Sequence, residues 1–506
     1  MFPTSLIVLL LAVVLLLKPI AEYIIDSKNL RRFPNYNVLS GITNLGYMIE
    51  RWRGFRSKTL HDCHKVHPVV RIGPNSLSFS SVSAMKAIYG HSTTTIKGDM
   101  YSDAAGPYPN ILDAVSKDVH AHKRRLLSHA FATRNLEQWE FKIADKVERL
   151  VKQFDRICDT PEATLDYSRW TNLFTLDAIV DIALSYRLGC LDRGDDVILT
   201  ESPDGKTEAV NYIESLHAVK RATSVIVWSS AWFGMLRSTL KLVPGFFRNQ
   251  YSRGQGYDHM VAYLTQRRMQ RYRDGEALDD LLQCILEDKE GKPQELESGE
   301  VEAEVNVLLD AGSDTTATAL VNVMYYLLQN PSTLVRLRRE LEDLSDDNSV
   351  VSYSRVKDLP YLRACLDESL RLSPPLAFGL NRKTGPDGVW VDGNFIPAAT
   401  IVAVPAYTAH RNPAIFTDPE EFRPERWLCA GSKELQASFI PFSAGARGCI
   451  GRNITYMEQL ILMATLVRRY DFSFVDPDWK LDYEEAFILW PSHMLLNISL
   501  RQHSCS

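Results

Sequence analysis

The chain has 506 residues, of which 45% are hydrophobic and 24% charged, with a formal net charge of −5. This is ample apolar material for a large buried core, and so thin a charge carries no signal for nucleic acid. The eight cysteines (Cys63, Cys158, Cys190, Cys284, Cys365, Cys429, Cys449 and Cys505) are scattered without a C-x-x-C pair, which argues for reduced thiols facing the cytosol and against a disulfide framework.

Leu6 to Leu17 is an unbroken apolar run, and its flanks extend it to a span of about 20 residues. No basic residue precedes it, and no pair of small residues marks a cleavage site after it. Lys18, Lys28, Arg31 and Arg32 stand on its C-terminal side. The segment 1–25 is predicted to be an uncleaved transmembrane anchor that leaves the rest of the chain in the cytosol. There Asn453-Ile454-Thr455 and Asn497-Ile498-Ser499 would stay unglycosylated. Residues 26–60 read as a linker and a first, amphipathic helix. Val69 to Phe79 reads as two strands around Gly73-Pro74-Asn75. Residues 92–118 are rich in Thr, Asp, Gly and Pro and read as a long loop.

The run from His120 to Phe131 has helical spacing, with His120 and Arg124 on one face. Residues 136–290 are helical by pattern, with an irregular break near 187–207. Within them Val225 to Leu236, followed by Val243 to Phe247, is strongly apolar; it reads either as core or as a roof that dips into a membrane. Residues 301–329 carry the longest helical pattern. Inside it lies Ala311-Gly312-Ser313-Asp314-Thr315-Thr316, a poor helix core whose hydroxyls can bond back to carbonyls one turn earlier and open space for a small ligand. Glu368 and Arg371 follow at i, i+3 on a further helix. Pro374 to Leu380 cannot be helical throughout. Residues 389–405 alternate around Asp392-Gly393-Asn394 as a hairpin. Phe487 to Trp490 reads as a turn reaching back toward a pocket.

The segment Phe442-Ser443-Ala444-Gly445-Ala446-Arg447-Gly448-Cys449-Ile450-Gly451 organises the rest. Its small residues let the backbone approach something large and flat. The apolar spacing after Gly451 predicts a helix, which places Cys449 just before a helix N-terminus, where amides and the dipole stabilise a thiolate. Such a thiolate suits a haem iron.

This loop resembles the haem-binding signature of the cytochrome P-450 family, F-x-x-G-x-R-x-C-x-G, at Phe442, Gly445, Arg447, Cys449 and Gly451. The segment from Ala311 to Thr316 resembles the family's A-G-x-D-T-T motif. Glu368-Ser369-Leu370-Arg371 and Pro424-Glu425-Arg426-Trp427 match its E-x-x-R and P-E-R segments. The resemblance covers nearly the whole chain. It implies a mainly α fold with a smaller β region (α+β), as one catalytic unit over residues 61–506.

It further implies haem b (iron protoporphyrin IX) with Cys449 as the axial ligand of the iron. The loop residues named above, with Ala311 and Gly312 of the central motif, would line the cofactor. Arg447, Arg382, Arg124 and His120 would serve its propionates, His120 standing where the family more often has Trp. Asp314 and Thr315 would deliver protons. Glu368, Arg371 and Arg426 would form a buried scaffold, with Trp427 in place of the usual Phe changing only packing.

Nothing in the chain resembles a nicotinamide or flavin fingerprint. Electrons would therefore come from NADPH through a separate partner, NADPH–cytochrome P-450 reductase, on the endoplasmic reticulum membrane, with cytochrome b5 as an additional donor. Lys123 and Arg125 would be solvated or face an acidic redox partner. The texture of the chain is similar to filamentous-fungal members of secondary metabolism, and the apolar pocket positions imply a hydrophobic substrate. The expected function is monooxygenation. The alternatives are a haem-thiolate isomerase or dehydratase, whose members usually lack the acid–Thr pair, or a ring-rearranging oxidase, and a non-enzymatic haem-binding protein.

Overall fold

Ser298–Gln329 forms one 32-residue helix, the central helix, opened by a reciprocal capping box between Glu297 and Glu300. It is buried around most of its circumference, as is the helix Tyr167–Leu184 that packs along it. Helices apolar on all sides belong to the middle of a large core. Glu140–Cys158, Pro360–Leu372 and Arg452–Arg469 complete that core and carry one continuous apolar cluster. The computed structural model describes residues 17–202, 204–288, 290–342, 344, 350–429 and 431–502. Mostly helical, with a smaller sheet region, it agrees with the expected fold class.

The main sheet has five strands in the order Val69–Gly73, Ser76–Phe79, Ile401–Ala403, Arg382–Lys383, Ile96–Lys97. The first two are the predicted pair around Gly73-Pro74-Asn75. Ile401–Ala403 runs parallel to Ser76–Phe79 and antiparallel to Arg382–Lys383. The last pairing sets Lys97 opposite Arg382. This register brings two cations from distant parts of the chain to one edge.

Three stretches differ from expectation. The predicted loop 92–118 contains the strand Ile96–Lys97 and the helix Asp99–Ala104. The irregular break near 187–207 contains a short helix, Cys190–Arg193, and one strand of a hairpin, Val197–Glu201 with Thr207–Asn211. Alternation there is too brief to be read against the helices on either side. The hairpin predicted over 389–405 ends at Ile396, and its last predicted strand, Ile401–Ala403, joins the main sheet instead.

The apolar stretch after 225 divides in two. Val225, Ile226, Val227 and Phe233 are buried, whereas Trp232, Met235, Leu242 and Val243 are exposed. Trp52, itself exposed, packs edge-on against Phe246 beside them. Among the described residues no helix is long and apolar enough to cross a membrane. The apolar run predicted to be the anchor lies, apart from Leu17, outside those residues.

Candidate active site

The cysteine loop is a compact set of turns. Ser443 and Gly445 have positive φ, 58° and 67°, and a Cβ at Gly445 would sit 2.0 Å from the Tyr89 carbonyl oxygen; only glycine serves there. The Gly448 amide donates to Gly445 O, and the Cys449 amide to Phe442 O at 2.8 Å. Gly451 then caps the helix Arg452–Arg469, as predicted. Cys449 is exposed on one side of the loop; desolvation by the protein around it pushes its thiol up, opposed by the amides of Gly451 and Arg452 and by the charges of Arg124 and Arg452. Phe442 packs against Tyr456.

Four cations gather beside the loop. Arg447 donates to the carbonyls of Ala114, Val115 and Ser116. Arg124 donates to Gly448 O at 2.6 Å, and Arg382 to Asn381 O. Lys97, which the sequence reading overlooked, donates to Leu112 O. Among the described residues none of the four makes a salt bridge to a carboxylate. Burial, with Arg382 and Arg447 nearby, brings Lys97 down to about 7. Burial, with Arg382, brings Arg447 down to about 10. His120 is buried in their midst and brought to about 4, by burial and by Arg447, Lys97, Arg124 and Arg382. Asp113 is the carboxylate whose charge reaches Lys97. Crowded cations that hold carbonyls and tyrosine side chains but, among the described residues, no carboxylate fit the two carboxylates of a haem, and the sulfur among amides fits its iron.

On the central helix, Ala311 is exposed and Thr315, one turn on, is partly so, which puts both on one open face. Thr315 Oγ1 donates to Ala311 O at 2.8 Å and Ser313 Oγ to Leu309 O at 2.8 Å, the back-bonding expected of this sequence. A Cβ at Gly312 would lie 2.5 Å from Ile179, so this glycine permits the close packing of the central helix on Tyr167–Leu184.

Asp314 is buried and turned to another face. It accepts from Lys220 Nζ at 2.7 Å, from Trp490 Nε1 at 2.9 Å, and meets His217 Nε2 at 2.9 Å. Lys220 also pairs with Asp310. His217 stacks on Trp490 at 3.8 Å. Burial opposes ionisation of Asp314, but Lys220 and His217 outweigh it and hold the carboxyl far below the usual range. Both lie on the helix Tyr212–Ile226, here called the roof helix. Their i, i+3 spacing on a helix was the one available sequence signal, and it named no partner.

The predicted triad is present and fully buried. Glu368 accepts from Arg371 through both oxygens at 2.9 Å and from Arg426 Nε at 2.9 Å. It also accepts from the Arg423 amide and from Trp427 Nε1 at 3.0 Å. Trp427 therefore does more than change the packing, because its indole N–H fills a site on the carboxylate that Phe could not. His410, also missed, joins the triad to the cysteine loop: Nδ1 bonds Arg371 O and Nε2 accepts the Ile440 amide. Opposite, Phe487 takes a positive φ of 68° between the strands Tyr483–Ala486 and Ile488–Pro491. Its ring stands 6.2 Å from that of Phe378; this is the predicted turn meeting the predicted wall.

The family model for cytochrome P450 matches residues 39–498. Among curated proteins the chain is 30% identical over 479 residues to benzoate 4-monooxygenase bphA of Aspergillus niger, covering 92% of each. It is 31% identical over 477 residues to averantin hydroxylase of Dothistroma septosporum, covering 91% of this chain and 85% of that protein. It is 30% identical over 479 residues to cytochrome P450 monooxygenase tpeC of Talaromyces stipitatus, covering 91% and 88%. A match of this extent, on a chain whose cysteine loop and central helix are arranged as described, shows that the protein belongs to the cytochrome P450 family and is a monooxygenase of the fungal type.

Proposed function

We propose that the protein inserts one atom of dioxygen into a hydrophobic small molecule of fungal secondary metabolism, with electrons from NADPH through a separate reductase. The observation that carries this reading is the cysteine loop beside cations that meet no carboxylate among the described residues, combined with a hydroxyl-bearing open face on the central helix. Cys449 would hold haem b by its iron, and Arg124, Arg382, Arg447, Lys97 and His120 would receive the propionates. Ala311 and the small residues of the loop would pack against its faces. When bound, the haem supplies redox chemistry toward dioxygen that no side chain offers.

The chain's own residues govern protons and access. Thr315 Oγ1 donates to Ala311 O, so its lone pairs can accept from a water and orient it. Asp314 is ionised and clamped, and takes up a proton only as its contacts with Lys220 and His217 loosen. Proton supply is thereby linked to the position of the roof helix. Residues 61–506 form the catalytic unit. Residues 1–25 anchor it to the endoplasmic reticulum, and the exposed Trp232, Met235, Leu242 and Val243 touch the same bilayer.

The reduced protein under carbon monoxide should show the long-wavelength Soret band of thiolate ligation; the shorter-wavelength band of nitrogen ligation in folded, haem-loaded protein overturns the assignment of Cys449. Deleting the gene in its host should make an apolar precursor accumulate, and an unchanged metabolite profile removes the secondary-metabolism reading. Thr315→Ala should consume NADPH without matching product; equal coupling in variant and parent removes the proton role.

A further inference from the structure

On the central helix every residue from Val307 to Met324 is buried except Asp310, Ala311, Gly312 and Thr315. Gly312 is turned to Ile179 of the neighbouring helix, so the opening belongs to Asp310, Ala311 and Thr315. Asp310 is the ionisable member of the three, and its side chain is 33% exposed. It adjoins Ala311 and lies one turn before Asp314, which places it where the open face meets the face under the roof helix. A carboxylate at the edge of an apolar site is costly unless a cation meets it.

Lys220 meets that need only in part. Its ammonium bonds Asp314 at 2.7 Å and also reaches Asp310 Oδ1, so one cation stands between two carboxylates. Burial opposes the charge on Lys220, but Asp310 and Asp314 outweigh it and keep the ammonium charged. The other partners of Asp314 are the neutral N–H of Trp490 and His217, which bonds through Nε2 as a neutral ring can. The set therefore carries one negative charge in excess. That excess lies with Asp310. The Asp314 side chain is 3% exposed and meets three groups, whereas Asp310 Oδ2 has no donor among the described residues and stays accessible. The charge also reaches across the opening. Burial raises the Asp113 carboxyl to about 6; Lys97 and Asn110 oppose the rise, and Asp310 and Glu304 add to it as like charges.

We propose that Asp310 is the counter-charge for a cationic nitrogen on an otherwise apolar substrate, met through Oδ2 beside the face of Ala311 and Thr315. The inference rests on reading the chain as a monooxygenase that works at that face, and it names the class of substrate. Pairing with Asp310 ties one end of the molecule to the helix that borders the site of oxidation, and so limits which carbons reach it. A neutral group in the same place leaves the carboxylate desolvated without a partner, which disfavours it.

The test uses the full-length haem-loaded protein and one matched pair, (2-naphthylmethyl)trimethylammonium and its uncharged carbon isostere 2-neopentylnaphthalene. The quaternary nitrogen has no lone pair for iron, so binding is read from the high-spin shift of the Soret band. In the parent the ammonium should bind at least as tightly as the hydrocarbon, although water holds the charged probe far more strongly. Asp310→Asn keeps the shape and removes the charge, and should lower the ratio of ammonium to hydrocarbon affinity about tenfold. An ammonium that gives no shift, or that binds more weakly than the hydrocarbon in the parent, overturns the proposal. An unchanged ratio in Asp310→Asn overturns it too. The parent comparison stands even where the variant does not load haem. A failure of the monooxygenase reading is seen separately, as loss of the thiolate band under carbon monoxide or of reductase-dependent turnover.

Discussion

The two sides of the cysteine loop and central helix are held in opposite ways. Behind the cysteine, Glu368 and Arg371 are both 0% exposed. The carboxylate is satisfied by Arg371, Arg426, Trp427 and the Arg423 amide, while Arg371 also donates to the carbonyls of His410, Pro419 and Glu421. Charge, geometry and hydrogen bonds all close within one region. Toward the roof, Asp314 is as deeply buried, yet its partners arrive from two other elements, the roof helix and the strand of Trp490, and Lys220 shares its charge with Asp310, which is 33% exposed. A network whose charged side chains are all buried fixes one arrangement, whereas one that reaches solvent through Asp310 has room for more than one. The first suits a ligand loop that must not move, the second a gate for protons and substrate.

Breaking the closed side should cost most. Glu368→Ala leaves Arg371 and Arg426 buried without their counter-ion, a loss of about 3–5 kcal/mol. That is a large share of a domain's stability, and the expected outcome is protein without haem and without the thiolate carbon monoxide band. Wild-type haem content in this variant would contradict the scaffold role. Asp314→Asn should behave otherwise. The amide keeps its shape and can still accept from Lys220 and Trp490, so haem content and the carbon monoxide band should persist. Product formation should fall by about a hundredfold, in the range of a lost acid–base group, while NADPH oxidation falls less. If both variants lost haem alike, the contrast between the two sides would be false.

The sequence made the first side more legible than the second. Phe442, Gly445, Arg447, Cys449 and Gly451 lie within ten residues, and Glu368 with Arg371 within four; local spacing encodes them directly. The central helix was legible too, since its length and its back-bonding hydroxyls follow from residue type. Lys97 was not, because only the pairing of its strand with Arg382 brings it to the site. His217, Lys220 and Trp490 converge on Asp314 through tertiary packing that no single segment announces. Trp427 was read as bulk because its N–H had no visible partner until Glu368 was placed beside it. The hairpin at 197–211 and the helix Asp99–Ala104 were missed for a different reason: short elements in polar stretches leave little periodicity to read.

The smallest expected effect concerns Glu458, buried on the helix that follows the cysteine loop and beside Thr316 of the central helix. Burial, only partly offset by Thr316, raises its carboxyl to about 8. Unfolded, the group loses its proton near its ordinary value of 4.5; folded, it keeps it until about 8. Between these limits the folded state binds more protons, so stability falls as pH rises. His410 works in the other direction. Burial and Arg371 lower it to about 3, so the unfolded state takes up a proton that the folded state refuses, and stability falls as pH drops below its ordinary 6.5. Glu458→Gln should remove the first slope and leave the second. Thermal unfolding of the haem-loaded variant should match the parent near pH 5 and exceed it by a few degrees near pH 8. Parallel curves over that range would mean that Glu458 is already ionised in the folded protein, and that the contact between the two helices tolerates a charge.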